Sequence, residues 1–104
     1  MSLTLQTSVE NDLLRVTVPA SRLDAAVTRD FKAGIEAAWT PALARMEIDL
    51  RAVDFVDSSG VGALLSVYRK LPPTPGAMRL DGVKPGVRSM LLMLRLDQYF
   101  DIRG

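Results

Sequence analysis

Neither cysteine nor histidine occurs anywhere in the 104 residues. Without thiols there is no disulfide, no thiolate nucleophile and no sulfur-ligated metal. Without imidazole the commonest general base and the commonest metal ligand are missing, and a Ser-His-Asp hydrolase is excluded. Lysine is scarce as well: Lys32, Lys70 and Lys84 are the only three, none beside an obvious sequence partner. An enzyme built on Asp57, Asp24 and Ser58 would have no imidazole to serve as its base near neutral pH. The chain is therefore read as non-enzymatic, with no catalytic residue, no metal and no cofactor.

An excess of charge of one sign is also missing. The formal net charge is +1, and the 24% of charged residues are dispersed, so the basic stripe of a nucleic-acid-binding protein is absent. Long apolar runs are absent too. The longest, Met90 to Leu94, is far short of the roughly 20 residues a membrane-crossing helix needs. The N-terminal Met1-Ser2-Leu3-Thr4 carries neither a basic leader nor an apolar stretch, which leads us to expect a cytoplasmic protein. What is present is ordinary globular composition, with 48% apolar residues. A chain of this length buries one core, with roughly 60 to 70% of its unfolded surface withdrawn from water, and a single domain over residues 1–104 is expected.

Along the chain, Leu3, Leu5 and Thr7 alternate with Thr4, Gln6 and Ser8, and Leu14, Val16 and Val18 alternate with Arg15 and Thr17. Both segments read as half-buried strands, joined through Glu10-Asn11-Asp12 in a hairpin. Val27, Phe31, Ile35 and Ala38 then fall on one helical face, with Asp24 near the cap and Thr40-Pro41 as the stop. Met46, Ile48 and Leu50 give a third strand, and a second helix starts at the serine pair Ser58-Ser59 with Val61, Leu64, Leu65 and Tyr68 on one face. Beyond the loop with Pro72, Pro73 and Pro75, Ala77 to Leu80 supplies a short strand. A third helix follows Lys84-Pro85-Gly86 with Val87, Met90, Leu91 and Leu94 inward, and Tyr99 to Ile102 forms a last strand. The order implies an α/β domain with a mixed sheet, an antiparallel hairpin extended by parallel crossovers. Polar and apolar residues alternate in the strands, so one face of the sheet is covered by helices and the other is more exposed.

The chemistry concentrates in Asp57-Ser58-Ser59-Gly60-Val61-Gly62. Asp57 or Ser58 serves as a helix N-cap, and the glycines permit close packing or a sharp turn. The two hydroxyls lie where free backbone N–H groups and the positive end of the helix dipole point, so a phosphate on either is compatible with the fold. A phosphoserine adds a charge of about −1.5 to −2 beside Asp57, which a partner surface shaped for a neutral hydroxyl would reject.

The stretch from Asp49-Leu50 through Asp57-Ser58-Ser59-Gly60-Val61-Gly62-Ala63-Leu64-Leu65 resembles the signature of the sulfate transporter and anti-sigma-factor antagonist (STAS) domain, in its soluble antagonist branch. Leu23-Asp24 resembles that family's leucine-aspartate at the start of the first helix, and the element order agrees over the whole chain. The resemblance implies a role. The unphosphorylated protein binds an anti-sigma factor that is also a serine kinase, and phosphorylation of the serine after the aspartate, here Ser58, releases it. A metal-dependent serine phosphatase resets the cycle, and ATP belongs to the kinase. Asp24, Asp57, Ser58, Ser59 and Gly60 match the partner-binding positions. The family's usual glycine-glutamate ahead of leucine-aspartate is replaced by Ser21-Arg22, a charge reversal that singles out Arg22 for partner choice. Related domains also serve as non-phosphorylated regulatory subunits of membrane transporters, including lipid-transport ATPases, or as signalling scaffolds; there the serine pair would be only a cap.

Other conspicuous residues read as structure. Trp39, at helical spacing from Ile35 and Phe31, is core, and Met90 to Leu94 is core with an exposed fringe. Gly60-x-Gly62 lacks the lysine of a Walker sequence and the third glycine of a dinucleotide fingerprint.

Overall fold

A computed structural model describes residues 3–104; Met1 and Ser2, where the reading of the N-terminus begins, lie outside them. Among the described residues, seven strands and three α-helices follow one another in the order β1 (Gln6–Glu10), β2 (Leu13–Thr17), β3 (Arg22–Leu23), α1 (Thr28–Ala38), β4 (Arg45–Asp49), β5 (Phe55–Val56), α2 (Ser58–Tyr68), β6 (Met78–Asp81), α3 (Pro85–Met93) and β7 (Asp101–Ile102), with a 3-10 turn over Leu96–Gln98. The main sheet runs β1-β2-β4-β6-β7. Only the first pair is antiparallel, as expected for a hairpin extended by crossovers.

The hairpin turns on Asn11, whose φ of 57° is left-handed. Asparagine tolerates that geometry, whereas a residue with an ordinary Cβ pays for it. Asn11→Ala is expected to cost about 1 kcal/mol and Asn11→Gly nothing comparable, as read from urea denaturation curves. Asp12, next to it, accepts hydrogen bonds from Nε and Nη2 of Arg45 at 3.1 and 2.9 Å. This ties the turn to the start of β4, and the bond holds the guanidinium above its ordinary pKa.

Period-two alternation sorts the sheet residues as the sequence suggests. Leu14, Val16, Met46, Ile48, Met78 and Leu80 are buried and pack with Phe31 and Ile35 of α1, Leu64 and Val67 of α2, and Val87 and Leu91 of α3 in one core. The open face carries Arg15, Glu47 and Arg79 in register across β2, β4 and β6. Glu47 lies 3.5 Å from Arg15 and 2.9 Å from Arg79. Each such pair contributes at most about 1 kcal/mol, so the apolar side of the sheet dominates stability.

Several expectations are corrected. The first strand begins at Gln6, not Leu3, and all five of its residues are exposed instead of half-buried. The alternation there reflects Leu3 and Leu5 leaning against the core before the sheet begins. Asp24 lies four residues ahead of α1: it organises the preceding turn, where its carboxylate accepts from the N–H of Ala26 and its carbonyl from Val27 and Thr28. Leu94 is 54% exposed, because α3 ends at Met93 and the chain turns through a left-handed Arg95. The last strand is only Asp101–Ile102, with Tyr99 at the end of the 3-10 turn. Trp39 is half-buried against the core. Leu91 is buried, while Leu92, Met93 and Leu94 form the exposed fringe.

Candidate functional site

Two very short strands build the site. β3 and β5 pair in parallel, Arg22 opposite Phe55 and Leu23 opposite Val56, in a sheet of their own. Ser21 O accepts from the N–H groups of Asp54 and Phe55 at 2.7 and 3.2 Å, and Leu23 O accepts from that of Asp57 at 3.3 Å. This ladder brings Arg22-Leu23-Asp24 alongside Phe55-Val56-Asp57, two segments more than 30 positions apart in the chain. The second helix springs directly from it.

Asp57 is the N-cap of α2. Its backbone is extended, and its Oδ1 accepts the Gly60 N–H at 2.9 Å. The alternative left open by the sequence is thereby settled: Ser58 is the first helical residue and its hydroxyl is not needed for the cap. Ser58 and Ser59 are both exposed. Gly60 is buried because α2 crosses β3 at backbone contact. A Cβ at this position would lie 2.2 Å from Leu23 O and 2.8 Å from Cγ1 of Val56. Its part in the site is to let the helix approach. Gly62, with nothing within 4 Å of the corresponding point, has no such duty.

Arg22 and Asp24 lean on each other. The Arg22 Nε donates to Asp24 Oδ2 at 3.0 Å, and its guanidinium carbon sits 4.2 Å from the centre of the Phe55 ring, a stacked cation–π contact. Phe55 is 41% exposed, an aromatic presented to solvent beside two aspartates and two serines. Sequence reasoning had missed it, although the buried Val56 puts its neighbour on the outward side of a strand of period two. On the other flank, Lys84 Nζ pairs with Asp54 at the start of α3. The result is an exposed surface of hydroxyls and carboxylates, edged by an arginine–phenylalanine stack. Among the described residues no cluster of three or more acidic side chains is arranged to hold a metal ion. Nor is any helix among those residues long and apolar enough to cross a membrane.

The family model described as "Mlab, STAS domain" matches residues 4–103, and the chain belongs to the STAS domain family. Among solved structures, it is similar to an anti-sigma factor antagonist from Mycobacterium paratuberculosis, with TM-score 0.81 and 23% identity over 97% of this chain and 85% of that one. It is also similar to the Bacillus cell fate determinant SpoIIAA in its phosphorylated form, with TM-score 0.68 and 23% identity over 96% and 89%. A more distant likeness is to murine Slc26a9, an anion transporter, with TM-score 0.70 and 15% identity over 91% of this chain and 17% of that one. At these identities the likeness is one of fold.

Proposed function

We propose that this chain is a non-enzymatic, cytoplasmic anti-sigma-factor antagonist: it binds an anti-sigma-factor serine kinase while Ser58 is unphosphorylated and is released when Ser58 is phosphorylated. The observation that carries the reading is Ser58 itself, exposed at the first position of α2 with the capping duty taken by Asp57. A kinase can reach that hydroxyl without unfolding the domain, and the helix N-terminus tolerates the phosphate that results. Asp24, Asp57, Ser59 and the Arg22–Phe55 stack supply the surrounding contact surface, and Gly60 sets its shape. A metal-dependent serine phosphatase restores the hydroxyl. Similarity to antagonists that include a phosphorylated SpoIIAA supports this reading. The test is intact-mass spectrometry and fragment mapping after incubation with ATP and the anti-sigma-type kinase encoded nearest to it. One phosphate on Ser58 is expected. An unmodified chain, with that kinase active on another antagonist, would refute the switch.

A second reading is a non-phosphorylated subunit of a membrane transporter ATPase; the likeness to part of an anion transporter puts this fold in transport proteins. Co-purification with such an ATPase, undiminished by Ser58→Ala, would select it.

Partner choice on the first reading turns on Arg22. Its side chain is 59% exposed, and Arg22→Glu sets a carboxylate beside Asp24 and removes the cation from Phe55. A loss of about 1 to 2 kcal/mol, roughly 5- to 30-fold in kinase affinity, is expected. Calorimetric titration showing unchanged affinity would remove Arg22 from the interface.

A further inference from the structure

β1 is an edge strand whose one safeguard against pairing is a single charge, Glu10, at its last residue. Strand edges are normally blunted by brevity, lysine, proline or a bulge. The opposite edge, β7, follows that rule, with two residues, Asp101 in the strand and Arg103 just after it. β1 does not. It runs five residues, pairs one-to-one with β2 without a bulge, and in Gln6-Thr7-Ser8-Val9 has no charge and no proline.

Its side chains are also sorted unusually. Thr7 and Val9 stand opposite Val16 and Leu14, both buried against the helices. Directly opposed residues share a face, so Thr7 and Val9 belong to the helix-covered side of the sheet. Val9 is nevertheless 57% exposed. The neighbouring surface of α1 is kept small by Ala33, Gly34 and Ala37, which with Leu3 and Leu5 line a groove of about 490 Å³.

We propose that β1 pairs antiparallel with β1 of a second copy of this chain, about a two-fold axis through Ser8. The strand is self-complementary in that register, as an isologous interface requires. Ser8 meets Ser8, Thr7 meets Val9 and Gln6 meets Glu10, so no like charges oppose each other and all five residues are used. On the helix side, two threonines and two valines form one β-branched block that withdraws Val9 from water. Ala33 and Ala37 of α1 leave room there beside Leu5, which covers Gly34, for side chains of the second copy. On the open side, the Gln6 carboxamide can donate to Glu10. Moving the axis to Glu10 would set two carboxylates against each other. The outcome is a continuous ten-stranded sheet whose remaining edges are the short, charged β7 strands. Arg22, Asp24, Phe55 and Ser58 are not on β1, so the dimer carries two open copies of the candidate site, and the inference stands independently of what that site binds.

The chain has no cysteine, which makes the axis directly testable. Ser8→Cys sets two thiols across a strand pair, with Cβ atoms about 4.5 to 5.5 Å apart, close enough for a disulfide after slight adjustment. Sedimentation velocity from micromolar to millimolar concentration is expected to show a reversible monomer–dimer equilibrium. Val9→Lys is expected to weaken it by about tenfold or more, with circular dichroism and melting unchanged. Mild oxidation should convert Ser8→Cys to covalent dimer about tenfold faster than Ser66→Cys, a thiol on the exposed side of α2. A chain that stays monomeric throughout overturns the proposal. So does a dimer indifferent to Val9→Lys, or cross-linking of Ser8→Cys no faster than that of Ser66→Cys.

Discussion

Gly60→Ala is expected to destabilise the domain by about 3 kcal/mol, the upper end of what an added methyl costs in a packed interior. The new Cβ would meet backbone, not a flexible side chain: Leu23 O at 2.2 Å and Leu23 C at 3.1 Å, with Cγ1 of Val56 at 2.8 Å. Leu23 O cannot simply retreat, because it accepts the N–H of Asp57 and belongs to the β3–β5 ladder from which α2 starts. Relief therefore requires the helix to lift away from the ladder, taking Ser58 with it. Two residues along, the same substitution should have the opposite sign. Gly62 is exposed within α2 and a Cβ there touches nothing within 4 Å. Gly62→Ala therefore gains about 0.5 to 1 kcal/mol from helix propensity and from the reduced entropy of the unfolded chain. Urea denaturation followed by the fluorescence of Trp39, the single tryptophan, measures both. Similar effects at the two glycines would mean that α2 does not sit on β3 at backbone contact.

That contrast also marks where sequence stops being informative. Both glycines read alike in Gly60-Val61-Gly62; only the crossing of a helix over a distant strand distinguishes them. Elements with several periods of pattern were legible: Val16 and Val18, Ile48 and Leu50, Phe31 and Ile35 each repeat a burial signal along the chain. β3 and β5 escape the same treatment because two residues hold no period, and their pairing is specified by partners some 30 positions away. The core of the site, Asp57-Ser58-Ser59-Gly60, was legible because a helix start is a local event, governed by an acceptor three residues ahead of a free N–H. Asp24 read locally only as a residue near the first helix cap and joined the site through family resemblance, and the stacking of Arg22 on Phe55 was invisible because it is a contact across strands. Leu94 misled in the opposite direction: helical spacing from Val87 and Leu91 placed it inward, but the helix ends one residue earlier, and spacing says nothing beyond an end.

Ser58→Asp should separate folding from binding. On the proposed antagonist reading, the variant is expected to melt at or slightly above the unmodified protein, since a carboxylate in the first turn of α2 interacts favourably with the helix dipole by some 0.3 to 1 kcal/mol. Binding to the serine kinase should fall sharply. An interface closing over Ser58 would have to desolvate an added carboxylate close to Asp57 with no cation supplied for it. An uncompensated buried charge costs about 3 to 4 kcal/mol, or several hundredfold in affinity. Aspartate carries one negative charge where phosphoserine carries nearly two, so this figure is a lower estimate for the modified protein. Ser58→Ala removes the acceptor hydroxyl and adds no charge; it should bind within a few fold of the unmodified chain and remain bound in the presence of ATP. Titration calorimetry and thermal denaturation of the two variants side by side give the four quantities required. If both bind equally tightly, Ser58 lies outside the interface and charge at the start of α2 is not what governs release. If Ser58→Asp binds weakly but also melts several degrees lower, the loss belongs to folding, and the carboxylate has disturbed the Asp57 cap instead of repelling a partner.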